Sequence, residues 1–206
     1  MATDSLEPDC VTPARNKRKE RNLRSSSTRK SASASCNTPR QTYTLVRFPN
    51  GETRRMTAGP RTNISKAVIE VFVPTFLAEP SVIFCRQSCN EAIANGAELL
   101  EALGLKFPAS LALPDIILVD LGPTHPLLVC VDIGLSEGAI DDARKTALMR
   151  IAYQAGFASR NVALVAAFVD REKALPGEAT GRLAGGSYAW FTSEPDSLIA
   201  TLPVRG

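Results

Sequence analysis

The chain has 206 residues, 44% of them hydrophobic, with a single Trp, a single His and a net charge of +3. This is enough for one globular domain beside a tail; no apolar run approaches the roughly 20 residues of a membrane span, and the N-terminus lacks the apolar core of a signal peptide. The five cysteines (Cys10, Cys36, Cys85, Cys89 and Cys130) make an odd set without a CxxC pair, which fits reduced thiols of a cytoplasmic protein better than disulfides or a zinc site.

Residues 1–42 carry nine Lys/Arg against four Asp/Glu, so the rest of the chain has net charge −2 and the whole positive surplus lies in this tail. Its run "PARNKRKERNLRSSSTRKSASAS" is basic, Ser-rich and poor in apolar residues. Such a segment cannot bury enough surface to fold alone and is expected to be disordered. Arms of this kind neutralise phosphates without reading sequence, although a charge run also serves solubility or targeting. The folded domain is expected over residues 43–206.

Asn50-Gly51 inside "YTLVRFPNGETRRMT" is a strong short hairpin signal. "TNISKAVIEVFVPTFLA" reads as a helix with Thr62 or Asn63 as N-cap. Its apolar stripe is Ile64, Val68, Val71, Phe72 and Phe76; Glu70 adjoins the stripe, and Pro74 should bend or end the helix. A strand at 81–84 and a short helix at 96–105 follow. Then come two apolar runs, Asp115–Asp120 and Leu127–Asp132, joined by a Gly/Pro-bearing loop as in a hairpin. "EGAIDDARKTALMRIAYQAGF" reads as an amphipathic helix with Ile140, Ala147, Leu148 and Ile151 inward and Arg144, Lys145 and Arg150 exposed. "NVALVAAFVD" and "YAWFTS" complete the sheet. The order of elements predicts an α/β fold with a mixed central sheet flanked by helices.

Two chemistries compete within residues 115–145. Gly134-Leu135-Ser136-Glu137-Gly138 matches the G-x-S-x-G nucleophile elbow, which in that fold needs an acid and then a histidine later in the chain. His125 lies upstream of Ser136, so only a Ser-Asp dyad would survive; a small glycine turn is the plainer reading. The alternative rests on geometry. If Asp120 pairs near Leu127, Asp115 falls beside Asp132, and cross-strand Cβ atoms on one face are roughly 5 Å apart. Two carboxylates so placed repel, and a divalent cation such as Mg²⁺ relieves the repulsion while also binding phosphate oxygens. The same spacing also fits two aspartates that merely mark strand ends at the solvent boundary.

From about Tyr43 to Ile199 the chain resembles the nuclease domain of the BsuBI/PstI type II restriction endonucleases. The resemblance lies in "FPNGE", "ISKAVIEVFVPTF", "ELLEALGL", "LPDIILVD", "VDIGLSEGAI" through Arg144, "VAAFVDR" and "AWFTSEPDSLI", in family order. It implies a restriction-endonuclease-like PD-(D/E)XK core that cuts double-stranded DNA with Mg²⁺ in restriction-modification. Pro114-Asp115 then resembles the family's P-D, Asp132 stands where Glu is usual, and Glu70 resembles the first-helix carboxylate, giving Asp115, Asp132 and Glu70 as metal ligands. Ser136 and Gly138 resemble the turn after the second carboxylate. Arg144 resembles a basic residue placed to hold a phosphate or stabilise developing charge. The chain also departs from the pattern. Gly134 replaces the lysine two positions after the second carboxylate, Cys85-Arg86-Gln87 replaces a Gly-Asp-Thr-like turn, and the basic tail stands in place of an N-terminal DNA-reading domain. The expected activity is therefore a Mg²⁺-dependent endodeoxyribonuclease, possessing a two-fold dimer if it cuts both strands of a palindrome. The alternative is a degenerate nuclease fold that binds DNA or a protein without cutting.

Overall fold

A computed structural model describes residues 42–86, 92–94, 113–135, 140–171 and 183–202, with the backbone alone at 92–94. The basic tail up to residue 41, the expected helix at 96–105 and Ser136 lie outside the described residues. Those described belong to one unit, Arg40–Gly206.

Asn50 and Gly51 turn the chain between β1 (Tyr43–Arg47) and β2 (Thr53–Thr57), which pair antiparallel. Gly51 has φ +85°, a region that side chains with a Cβ rarely enter. Helix α1 (Pro60–Ala67) begins earlier than the sequence suggests. Its N-cap is Gly59, with Pro60 at the first helical position, where a missing N–H costs nothing. Thr62 is not the cap; its hydroxyl donates to the Thr57 carbonyl at 2.7 Å. The chain then widens into a π-helical turn, Val68–Phe72, before α2 (Val73–Phe76). Pro74 supplies no N–H, and its ring would strike the carbonyl four residues back in a regular helix. The wider turn accommodates it, so Pro74 reshapes the helix without ending it. Val71 of the expected stripe consequently stays exposed.

A seven-stranded mixed sheet forms the centre, in the order β4-β3-β5-β6-β7-β8-β9. Its strands are β3 (Pro80–Arg86), β4 (Ala92–Ala94), β5 (Ile116–Asp120), β6 (Leu127–Ile133), β7 (Val162–Phe168), β8 (Tyr188–Phe191) and β9 (Glu194–Ala200). The β6–β7 and β7–β8 pairs are parallel and the others antiparallel. Helix α3 (Asp142–Gln154) makes the crossover between β6 and β7.

Alternation along the strands divides the core into two layers. Ile116, Leu118, Val129, Val131 and Trp190 pack with Ile64, Val68, Ile69 and Phe72 of the first helical segment and with Val46 and Met56 of the hairpin. Ile117, Val119, Leu128 and Cys130 face the other way, toward Ile140, Leu148 and Ile151. Being covered on both faces, β5 is buried along its whole length, which explains its unbroken apolar run. The mixed sheet flanked by helices is as expected. Ala147, however, is exposed rather than inward, and α3 starts at Asp142 behind the cap Asp141.

Candidate active site

Asp120 pairs with Leu127 and Ile116 with Val131. Continued one step, this register leads Asp115, in the bend before β5, toward Asp132 near the C-terminal end of β6. Asp132 shares the parity of Cys130 and so belongs to the face covered by α3, whereas Asp115, in the bend before β5, is met by Arg61 from the start of α1. Both aspartates are 6% exposed, as buried as many core residues. The hairpin therefore directs both aspartates to the same end of the sheet.

Their charges are compensated by arginines. Asp141 caps α3 by accepting the Arg144 backbone N–H at 2.7 Å, which fixes the first turn above the end of β6. From there the Arg144 side chain reaches back to Asp132, donating from Nε to Oδ2 at 2.6 Å and from Nη2 to Oδ1 at 2.9 Å. These hydrogen bonds raise the Arg144 pKa further and outweigh the opposing effect of burial. The expectation of an exposed Arg144 is thus corrected: it is pulled inward by the charge beneath it. Asp115 Oδ2 accepts from Arg61 Nη1 at 2.5 Å and from the Ile133 N–H at 2.9 Å. Arg86 Nη1 lies 3.8 Å from Asp115 Oδ1, an ion pair too long for a hydrogen bond. Arg86 Nη2 and Arg144 Nη2 both donate to the Leu113 carbonyl, at 2.6 and 3.1 Å. Three elements, the start of α1, the end of β3 and the first turn of α3, thereby converge on two aspartates.

Asp115 Oδ1 is buried and accepts no hydrogen bond among the described residues. An ionised oxygen in that state is costly unless something charged completes it. With the neighbouring Asp132, it offers the hard oxygen donors that a divalent cation takes. The residues present fit such an ion.

Glu70 does not join this pair, which corrects the expected three-carboxylate metal set. Its Oε1 accepts the Arg47 backbone N–H at 2.8 Å and Lys66 Nζ at 2.9 Å. Burial would raise its pKa, but these bonds hold it below the usual carboxylate value. Glu70 lines a groove of about 950 Å³ with Pro74, Glu79 and Leu121, at the far end of β5 from Asp115. The physical reason is distance along the helix. Arg61 and Glu70 are nine residues apart, roughly 13 Å at helical rise, so a helix whose start touches Asp115 carries Glu70 away. Among the described residues no three His, Cys, Asp or Glu side chains cluster as a metal site.

Gly134 also faces the side of Asp132, and its N–H continues the ladder to the Ala167 carbonyl at 2.9 Å. A Cβ there would lie 2.2 Å from Phe168 Cε1 and 2.6 Å from Cδ1. The place of a lysine side chain is taken by the Phe168 ring, itself stacked on Phe191 with centroids 5.5 Å apart. The elbow reading gains nothing, because His125 is exposed in the loop before β6, roughly 20 Å of extended strand from Asp132. The cysteines Cys85 and Cys130 are buried, and burial pushes both thiols up to about 12, which makes them poor nucleophiles and ligands.

Arg61 and Arg86 were not legible as site residues. Arg61 belongs to no motif, Arg86 stood out only as part of Cys85-Arg86-Gln87, a departure from the family turn, and only the β3–β5 pairing, with Cys85 opposite Ile116, would have placed Arg86 beside Asp115.

The site is thus one end of a mixed sheet whose central hairpin carries two aspartates, met by arginines from α1, β3 and α3. The model of the BsuBI/PstI restriction endonuclease domain matches residues 44–202, and the chain belongs to that family. The fold is similar to that of the structure described as "Structure of SdaI restriction endonuclease", with a TM-score of 0.66 and 23% identity. The match covers 80% of this chain and 49% of that one, so the chain spans about half the length of the SdaI structure. No curated protein sequence matches it. Among the described residues no helix is long and apolar enough to cross a membrane.

Proposed function

We propose that this protein is a divalent-metal-dependent endodeoxyribonuclease that cuts double-stranded DNA site-specifically, as a cytoplasmic type II restriction enzyme does. The observation that carries the reading is the β5–β6 register, whose last pair, Ile116 with Val131, leads Asp115 toward Asp132, while Asp115 Oδ1 is buried and accepts no hydrogen bond among the described residues. Family membership supplies the substrate class. Asp115 and Asp132 would hold the ion, Mg²⁺ in the first instance. When bound, such an ion supplies Lewis acidity toward a phosphoryl oxygen and lowers the pKa of water. The chain's own residues do the rest. Arg144, carried to the site by the first turn that the Asp141 cap fixes, would supply a charge that stabilises an anionic phosphorane-like transition state. Phe168 and Phe191 close the face beside Gly134 against water. The basic tail, residues 1–42, would add sequence-independent affinity for the DNA backbone. Cutting both strands of a palindrome would call for a homodimer.

A second reading, a nuclease fold that binds DNA without cutting, is favoured by one observation: Phe168 fills the place of a side chain at position 134. Incubating the protein with mixed-sequence duplex DNA in Mg²⁺, Mn²⁺ or EDTA separates the two. Discrete fragments with either ion and none in EDTA support the nuclease. Intact DNA under every ion, with a stable complex in a binding assay, leaves the binding module.

A further inference from the structure

Resting on the metal-dependent reading above, we propose that Arg61, Arg86 and Arg144 form a guanidinium latch. It occupies the Asp115–Asp132 pair until a divalent ion displaces it, and the released guanidiniums then bind the phosphodiester.

Both oxygens of Asp132 are engaged by Arg144, and Asp115 Oδ2 is engaged by Arg61 and by the Ile133 N–H. Among the described residues only Asp115 Oδ1 accepts no hydrogen bond, with Arg86 Nη1 3.8 Å from it. An ion bound by both aspartates therefore has to share or displace at least one arginine contact. Charge says the same. Among the described residues three guanidiniums stand against two carboxylates, so a divalent ion entering the site competes with cations that already compensate the carboxylate charge.

The latch members differ in how readily they leave. Arg144 is 23% exposed and bidentate, whereas Arg61 and Arg86 are 39% and 45% exposed, and Arg86 touches Asp115 only at 3.8 Å. Arg61 and Arg86 can swing to solvent by side-chain rotation alone. Each carries the planar fork that matches a phosphate as well as it matches a carboxylate. Phosphate arriving with the ion offers these forks a new anion as the old one is neutralised. Ion and DNA should therefore bind cooperatively, each removing what hinders the other.

The test is calorimetric titration of Mn²⁺ or Mg²⁺ into the full chain without DNA, for wild type, Arg61→Gln, Arg86→Gln and Arg144→Gln. Removing one positive charge from beside a divalent site should tighten ion binding about tenfold or more for Arg144→Gln, and several-fold for the two half-exposed arginines. Arg61→Gln keeps the test open if Arg144→Gln unfolds, because Asp115 Oδ2 retains the Ile133 N–H. In parallel, anisotropy with a short duplex in Ca²⁺ should show weaker binding for Arg61→Gln and Arg86→Gln, with the salt slope smaller by about one per arginine. Unchanged or weaker ion binding in every folded variant, beside a wild type that binds the ion, overturns the latch and leaves the nuclease reading intact. Unchanged DNA affinity and salt slope overturn the transfer to phosphate. If none of the four proteins binds either ion, the metal-dependent reading fails and takes the latch with it.

Discussion

The Cβ that Gly134 lacks would lie 2.2 Å from Cε1 of Phe168. No real Cβ sits so close to a ring carbon, so any side chain at 134 must push aside a ring already stacked on Phe191. Gly134→Ala should destabilise the fold by about 1–3 kcal/mol through overpacking. The two positions should also be coupled: in a Phe168→Leu background the same change should cost clearly less. Urea unfolding of the four proteins in this cycle measures it, and strict additivity would mean that the ring yields freely.

The central register was legible in the sequence because two apolar runs joined by a short loop have one compact pairing, and Asp120 opposite Leu127 carries Asp115 to Asp132. Hairpin β1–β2 was legible for the same local reason at Asn50-Gly51. What escaped was decided by distant groups. An arginine in the first turn of an amphipathic helix reads as solvated; only the crossover that lays α3 over the end of β6 turns Arg144 inward. Glu70 lies on a helical face that periodicity places correctly, but its partner is the Arg47 N–H, 23 residues away. Strand β9 was missed because "EPDSLIA" carries Pro195 and Asp196, residues that an edge strand tolerates and propensity disfavours.

Asp120, 3% exposed, accepts the backbone N–H groups of Ala78, Glu79 and Gly122 at 3.1, 2.7 and 3.1 Å. Burial raises its pKa, but the three hydrogen bonds outweigh this and hold the carboxyl below its ordinary value. A carboxylate whose pKa is lower folded than unfolded stabilises the protein above the unfolded value of about 4, and that stability is lost as pH falls through the folded value. Asp120→Asn should cost about 1–3 kcal/mol at pH 7. The gap to wild type should close progressively below about pH 4. Denaturant melts from pH 7 to pH 3 follow it; a gap independent of pH would exclude the charge as its source.

Deleting residues 1–42, which hold the chain's positive surplus, should leave a folded domain with weaker DNA affinity. The dependence of log affinity on log salt should become shallower by several units, since each phosphate neutralised contributes close to one. Fluorescence anisotropy at several salt concentrations reads both. Identical affinity and slope in the truncated and full proteins would rule out a DNA-binding arm.

Asp115 and Asp132, considered as two adjacent charges, should repel, and Asn at either position should leave the metal-free protein as stable as before or more so. The arginines reverse that forecast. Asp132→Asn would leave Arg144, 23% exposed, facing a neutral amide, and removing one partner of a desolvated pair is destabilising. Because Arg144 keeps some access to water and its bond to the Leu113 carbonyl, the loss should be about 1–3 kcal/mol, below that of a fully buried pair. Asp115→Asn should cost about 1–2 kcal/mol, since the amide oxygen can still accept from Ile133 while the charge facing Arg61 is gone. Urea unfolding in EDTA checks both values. Equal or greater stability in the variants would show that carboxylate repulsion prevails over arginine pairing. Added Mn²⁺ should then raise the melting temperature of wild type by mass action and raise that of either variant less. Cleavage of duplex DNA should fall by orders of magnitude in both variants, because each loses an ionised oxygen donor to the ion. A variant that is destabilised without metal yet cleaves as well as wild type would reduce the aspartate concerned to a structural partner of its arginine.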